Sequence, residues 1–135
     1  MAKTWIEKFD TCKPHYTKQL DKNFAGMKAG QMMLIPSTQI VDQAIRAIPH
    51  GESLDVVELR QRLADQYQAE ITCPIAMGFI MRTVAEAMFE KYNQGQAIDQ
   101  LTPIWRVLDK NSKTLAKLSF DQNFILDLRQ QEGLD

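Results

Sequence analysis

Apolar residues recur along the chain at intervals that change from segment to segment, and the intervals mark elements. Trp5, Ile6 and Phe9 fit a short helix, and Met32-Met33-Leu34-Ile35 fits a buried strand or extended segment before Pro36. Between them lie isolated basic and aromatic residues, Lys13, His15, Tyr16 and Lys18, which suggest an arm packed over the main body. From Ser37 the spacing becomes helical. Ile40, Val41, Ala44, Ile45 and Ile48 recur on one face, and Pro49-His50-Gly51 closes the helix. A short extended piece, Glu52 to Leu54, leads to Asp55, which with Glu58 has the spacing of a capping box. The helix it starts carries Val56, Leu59, Leu63 and Tyr67 as one apolar stripe.

Thr72-Cys73-Pro74 opens the next helix, with proline in the first turn, where its missing N–H costs little. Through Met88 this helix is mostly apolar, so burial is expected, apart from a thin polar line of Gly78, Arg82, Glu86 and Glu90. A polar loop follows over 93–102. Ile104 to Leu108 predicts a strand, Asn111-Ser112 a turn and Thr114 to Leu118 the returning strand. Ser119 and Gln122 repeat the capping-box spacing ahead of a last helix, which turns Phe124, Ile125 and Leu128 inward and stops at Gly133. The expected fold is mainly α with a small β-hairpin. Two successive helices followed by a hairpin match a winged helix-turn-helix. The expected division is an N-terminal arm, 1–36, packed on a domain spanning 37–135.

Composition narrows this little: 44% apolar and 24% charged residues over 135 positions suit one ordinary globular core. No apolar run approaches the roughly 18 to 20 residues that span a bilayer. The start, Met1 to Lys8, lacks the apolar stretch of a signal peptide, and two cysteines make no disulfide framework. A cytoplasmic protein without membrane contact is expected. The net charge of −1 argues against a heavily basic nucleic-acid binder, but the charge is unevenly spread. Residues 1–30 carry +3, residues 31–102 carry −4, residues 103–118 carry +3 and the tail carries −3. Two basic stretches thus permit local phosphate contact.

Little else carries chemistry. Cys73 stands at a helix N-terminus, where the dipole can lower a thiol pKa, but a small buried hydrophobe is the plainer role. Cys12-x-x-His15 is half a metal site with no second pair. No metal or cofactor is expected. The sequence specifies no oligomeric state.

Order and spacing of several motifs add a resemblance. "VDQAIRAIPHGESLDVVELRQRLA", "MRTVAEAM" and "PIWRVLDKNSKTLAKLSFDQNFILDLRQQEGL" are similar to successive parts of the C-terminal domain of alkylguanine-DNA alkyltransferases and the non-enzymatic alkyltransferase-like proteins. The resemblance runs from about Ser37 to Leu134. "ITCPIAMGF" and Thr102-Pro103-Ile104-Trp105-Arg106 resemble a smaller branch whose function is not assigned.

The family's reactive cysteine and histidine fall on Ile104 and Trp105, so the resemblance implies a base-pocket remnant there and no catalytic residue. It implies DNA contact by Arg82, matching an arginine that replaces the extruded base, by the adjacent Thr83, and by Arg106, Lys110 and Lys113, with Lys117 alongside. Glu86 departs from the family's glycine and would repel phosphate if it faced DNA. Val56 departs from a tyrosine that works beside the extruded nucleotide. Arg106 has a second expectation, an ion pair with an acid such as Glu132, and Arg82 has one with Glu86. Two functions are therefore expected: a non-catalytic DNA-binding protein that recognises alkylated or modified bases, or a repurposed winged-helix module that binds protein.

Overall fold

Side-chain caps start three of the helices, and those after Ser37 and Asp55 begin where the sequence predicts. The computed structural model describes residues 3–135. Thr4 accepts the Glu7 N–H at 3.1 Å and begins α1 (Trp5–Asp10). Ser37 accepts the Ile40 N–H and begins α2 (Thr38–Arg46). Asp55 accepts the Glu58 N–H at 2.8 Å and begins α3 (Val56–Gln66). Each cap satisfies one N–H that the first turn leaves without a partner, typically stabilising a helix by ~1 kcal/mol. Pro74 occupies the first turn of α4 (Pro74–Asn93), and α5 (Lys113–Lys117) and α6 (Asn123–Gln131) complete the helices.

A three-stranded sheet joins the N-terminal arm to the rest. Strand β1 (Tyr16–Gln19) pairs antiparallel with β2 (Met32–Ile35), which runs parallel to β3 (Ile71–Thr72). The Glu70 and Cys73 N–H groups continue the ladder onto the Met32 and Leu34 carbonyls, both at 2.9 Å. This fixes the chain immediately before α4. Leu34, fully buried, reaches the same core as Val41, Ile45, Leu59, Leu63, Met77 and Met81. Helix α1 packs along α4, and Thr38 of α2 donates to the Phe9 carbonyl at 2.7 Å. Among the described residues no helix is long and apolar enough to cross a membrane.

The fold is mainly helical with a small sheet, as expected, but the antiparallel pair lies in the arm. Where Ile104–Leu108 and Thr114–Leu118 were expected to form the hairpin, a 3-10 turn at Ile104–Arg106 is followed by α5. Ile104, Trp105, Val107 and Leu108 are all buried, and the N–H groups of Ile104, Arg106, Val107 and Leu108 bond to carbonyls within four residues instead of to a neighbouring strand. The Val107 and Leu108 N–H groups both turn back to the Ile104 carbonyl at 3.0 Å. Ser119 does not cap α6 either, because its hydroxyl and N–H both donate to Glu86, at 2.5 and 2.8 Å.

Candidate functional site

The 3-10 turn is held by α6 and by the loop joining α2 to α3. Arg129 donates to the Trp105 carbonyl at 2.7 Å. Glu132 accepts from Trp105 Nε1 at 2.6 Å, from Arg106 Nε at 2.9 Å and from the Gly51 N–H at 2.9 Å. Gly51 has φ +83°, a left-handed conformation that favours glycine and aims its N–H at that carboxylate. Arg106 completes the bracket with Nη1 on the Ile48 carbonyl at 2.7 Å, while its own carbonyl accepts the Leu54 N–H at 2.9 Å. Burial alone would raise the Glu132 carboxyl, but the bonds from Arg106, Gly51 and Trp105 outweigh it and lower the pKa from 4.5 to about 2.

The bracket settles the geometry of several expected site residues. Arg106 is directed inward on the Glu132 pair, with its side chain only 15% exposed. Ile104 is fully buried in the core. Trp105 is largely buried as well, its indole bonded to Glu132, and with Arg106 and Glu132 it lines a hollow shared with His50, Ile98 and Leu128. Ile104 therefore fills the interior, Trp105 borders a hollow elsewhere on the surface, and neither lines the groove described next.

That groove opens between the first turns of α3 and α4 and the 107–117 segment. One hollow, of about 520 Å³, is lined by Val56, Val57, Met81 and Val107 and by Asp55, Arg60, Asp109, Ser112, Lys113 and Lys117. A second, of about 510 Å³, is lined by Ile75, Phe79 and Arg82. Pro74, Gly78 and Lys117 border both, so the two hollows adjoin. Gly78 has open space where a Cβ would stand, which leaves the boundary between them low.

Charge around the groove is unbalanced by bonding as well as by number. Its two carboxylates are already occupied. Asp55 caps α3, and Asp109 accepts from the Asn111 N–H at 2.9 Å and from Ser112 Oγ at 3.3 Å. Among the described residues Arg60, Lys113 and Lys117 make no ion pair. Arg82 reaches Glu86 at 3.7 Å, too long for a hydrogen bond, and lies 5.1 Å from the Trp5 ring centroid. Two buried side-chain polar atoms among the described residues lack a hydrogen-bond partner, Arg60 Nε and Arg82 Nε, and both arginines line this groove.

Glu86 lies differently from its expected place on an exposed polar line. It is 2% exposed, turned under α4 toward Ser119, so it presents no carboxylate to a ligand above. Glu90 likewise accepts the Trp5 N–H at 2.5 Å. Thr83, next to Arg82, donates its hydroxyl to the Phe79 carbonyl at 3.0 Å, inside the helix. Lys110 is exposed outside the groove, and Lys113 and Lys117 stand one turn apart on its rim. Sequence reasoning missed Arg60, Val57, Ile75 and Phe79. The signal for the last two was an excess of apolar residues in α4 over what one buried face requires.

Cys73 is buried beneath the sheet with Leu20, Met27 and Met33, and no cysteine borders the groove. The His15 ring packs on Tyr67, 4.3 Å between centroids. No family model, curated protein or solved structure matches the chain.

Proposed function

We propose that this chain is a non-catalytic DNA-binding protein of the alkyltransferase-like type, which recognises modified bases without transferring the alkyl group. The observation that carries the proposal is the set of four cations around one groove, Arg60, Arg82, Lys113 and Lys117, of which only Arg82 makes an ion pair among the described residues. Four positive charges against two carboxylates that are already bonded make the groove an attractive surface for an anionic ligand. Of the four, Lys113 and Lys117 stand on the rim, and the apolar floor of Val56, Met81 and Val107 suits the face of a base. The positions of Val56 and Arg82, which the resemblance ties to the extruded nucleotide, both border this groove. In this proposal α3 and α4 form a helix-turn-helix pair with α4 as the recognition helix, and α5 stands where the wing hairpin was expected.

The test is fluorescence anisotropy of labelled duplexes, one plain and one carrying an alkylated guanine, at two salt concentrations. If the four groove cations all meet phosphates, log affinity falls with log salt with a slope of roughly −3 to −4. Arg60→Ala and Arg82→Ala should each weaken binding, and the alkylated duplex should bind tighter. Absence of binding at low salt refutes the proposal. It would favour the second reading, a protein-interaction module, which the exposed Val57, Ile75 and Phe79 and the packing of Trp5 beside Arg82 support.

A further inference from the structure

The expected inserting side chain, Arg82, is held on two sides. Glu86 draws it down toward the body of the protein, and the Trp5 ring flanks it. Glu86 is itself fixed by two bonds from Ser119, so the anchor does not follow if Arg82 moves outward. One turn earlier on the same face stands Phe79, 71% exposed, with Ile75 at 49% one turn before it. Side chains three and four apart on a helix are neighbours, so Ile75, Phe79 and Arg82 form a continuous row. Gly78 beside the ring offers no side chain to block a close approach.

A large aromatic ring left this open to water is informative in a way a scattered exposed leucine is not. Its surroundings name the occupant. Arg82 and Lys117 border the same hollow, while Arg60 and Lys113 border the adjoining one. An apolar ring flanked by cations, of which only Arg82 is paired, complements a stacked base between phosphates better than it complements an apolar helix. Proteins that bend duplexes insert such rings between base steps, and proteins that bind single strands stack bases on them.

We infer that Phe79 is the wedge: it enters the base stack, or stacks on an unpaired base, while Arg82 remains on Glu86 and contacts phosphate from the side. This inference rests on the nucleic-acid reading of the groove, and the experiment separates the two. Wild type, Phe79→Ala, Phe79→Trp and Arg82→Ala are titrated at low salt against a duplex carrying 2-aminopurine, whose fluorescence reports unstacking. Because the ring is exposed, its replacement leaves the fold intact, which circular dichroism verifies.

The expected result is a fluorescence change with wild type and Phe79→Trp. With Phe79→Ala that change is lost and binding weakens about fivefold or more, the low end for removing a stacking ring. If wild type binds with the expected salt dependence but Phe79→Ala weakens binding less than fivefold, or keeps the fluorescence change, the wedge is refuted and the groove reading stands. If wild type binds neither duplex nor single strand, both fail. Self-association of wild type that Phe79→Ala abolishes, seen by sedimentation, assigns the ring to a second copy of the chain and also overturns the inference.

Discussion

Replacing Glu132 by glutamine tests whether Arg106 braces the fold or serves a ligand. The carboxylate accepts from Arg106, Trp105 and Gly51, and its side chain is only 7% exposed, so solvent screening is slight. Its pKa of about 2, against an ordinary 4.5, means that the native state favours the ionised form. At about 1.36 kcal/mol per pKa unit, the shift corresponds to about 3 kcal/mol of stability. A depressed folded pKa places that contribution fully above about pH 4.5, and it is lost as pH falls toward 2. Glu132→Gln should therefore unfold in urea with about 3 kcal/mol less stability than wild type at pH 7, and with about 1 kcal/mol less at pH 3. The gap should close near pH 2. Arg106→Ala should destabilise comparably and leave the salt slope of any nucleic-acid binding unchanged, because its guanidinium faces inward. A difference between wild type and Glu132→Gln below about 0.5 kcal/mol at pH 7, the usual range of a surface substitution, or one independent of pH, refutes the brace. Arg106 would then be free to act outside.

The other predictions concern the groove. Lys113→Ala and Lys117→Ala should each reduce the salt slope of DNA binding by about 0.9 and change thermal stability little, since neither makes an ion pair; an unchanged slope removes that lysine from the interface. Gly78→Leu should raise helix stability by roughly 0.5–1 kcal/mol, because its Cβ meets nothing, yet it should block the passage between the two hollows. Weaker binding together with an unchanged or higher Tm is the expected pair of readouts, and undiminished affinity would exclude ligand from that passage.

How far the sequence disclosed the molecule depended on whether a segment's partners were local. Caps at Ser37 and Asp55 act across three residues, and both helices start where they predict. The segment 104–108 failed because a run with apolar side chains on both sides fits a buried strand and a buried turn equally well. Contacts from Ser53, Leu54 and Arg129, up to 53 residues distant, decided between them. Glu86 failed for the same reason. Its helical phase matches that of Arg82, and only Ser119, 33 residues later, turns it inward.

The groove draws on three separate stretches, so each of its cations looked like ordinary solvated surface when taken alone. Helix α4 held a clue that periodicity nevertheless offered. A helix apolar on nearly every side is expected to be largely buried, and Pro74 to Met88 has that pattern apart from one thin polar line. In the structure it holds only for the second half, where Val84, Ala85, Ala87 and Met88 are buried, while Ile75 and Phe79 stay open. An apolar helix half covered by its own chain has more apolar surface than its fold uses. The surplus lies against unpaired cations, and that pairing is the reason to look for the partner among nucleic acids first.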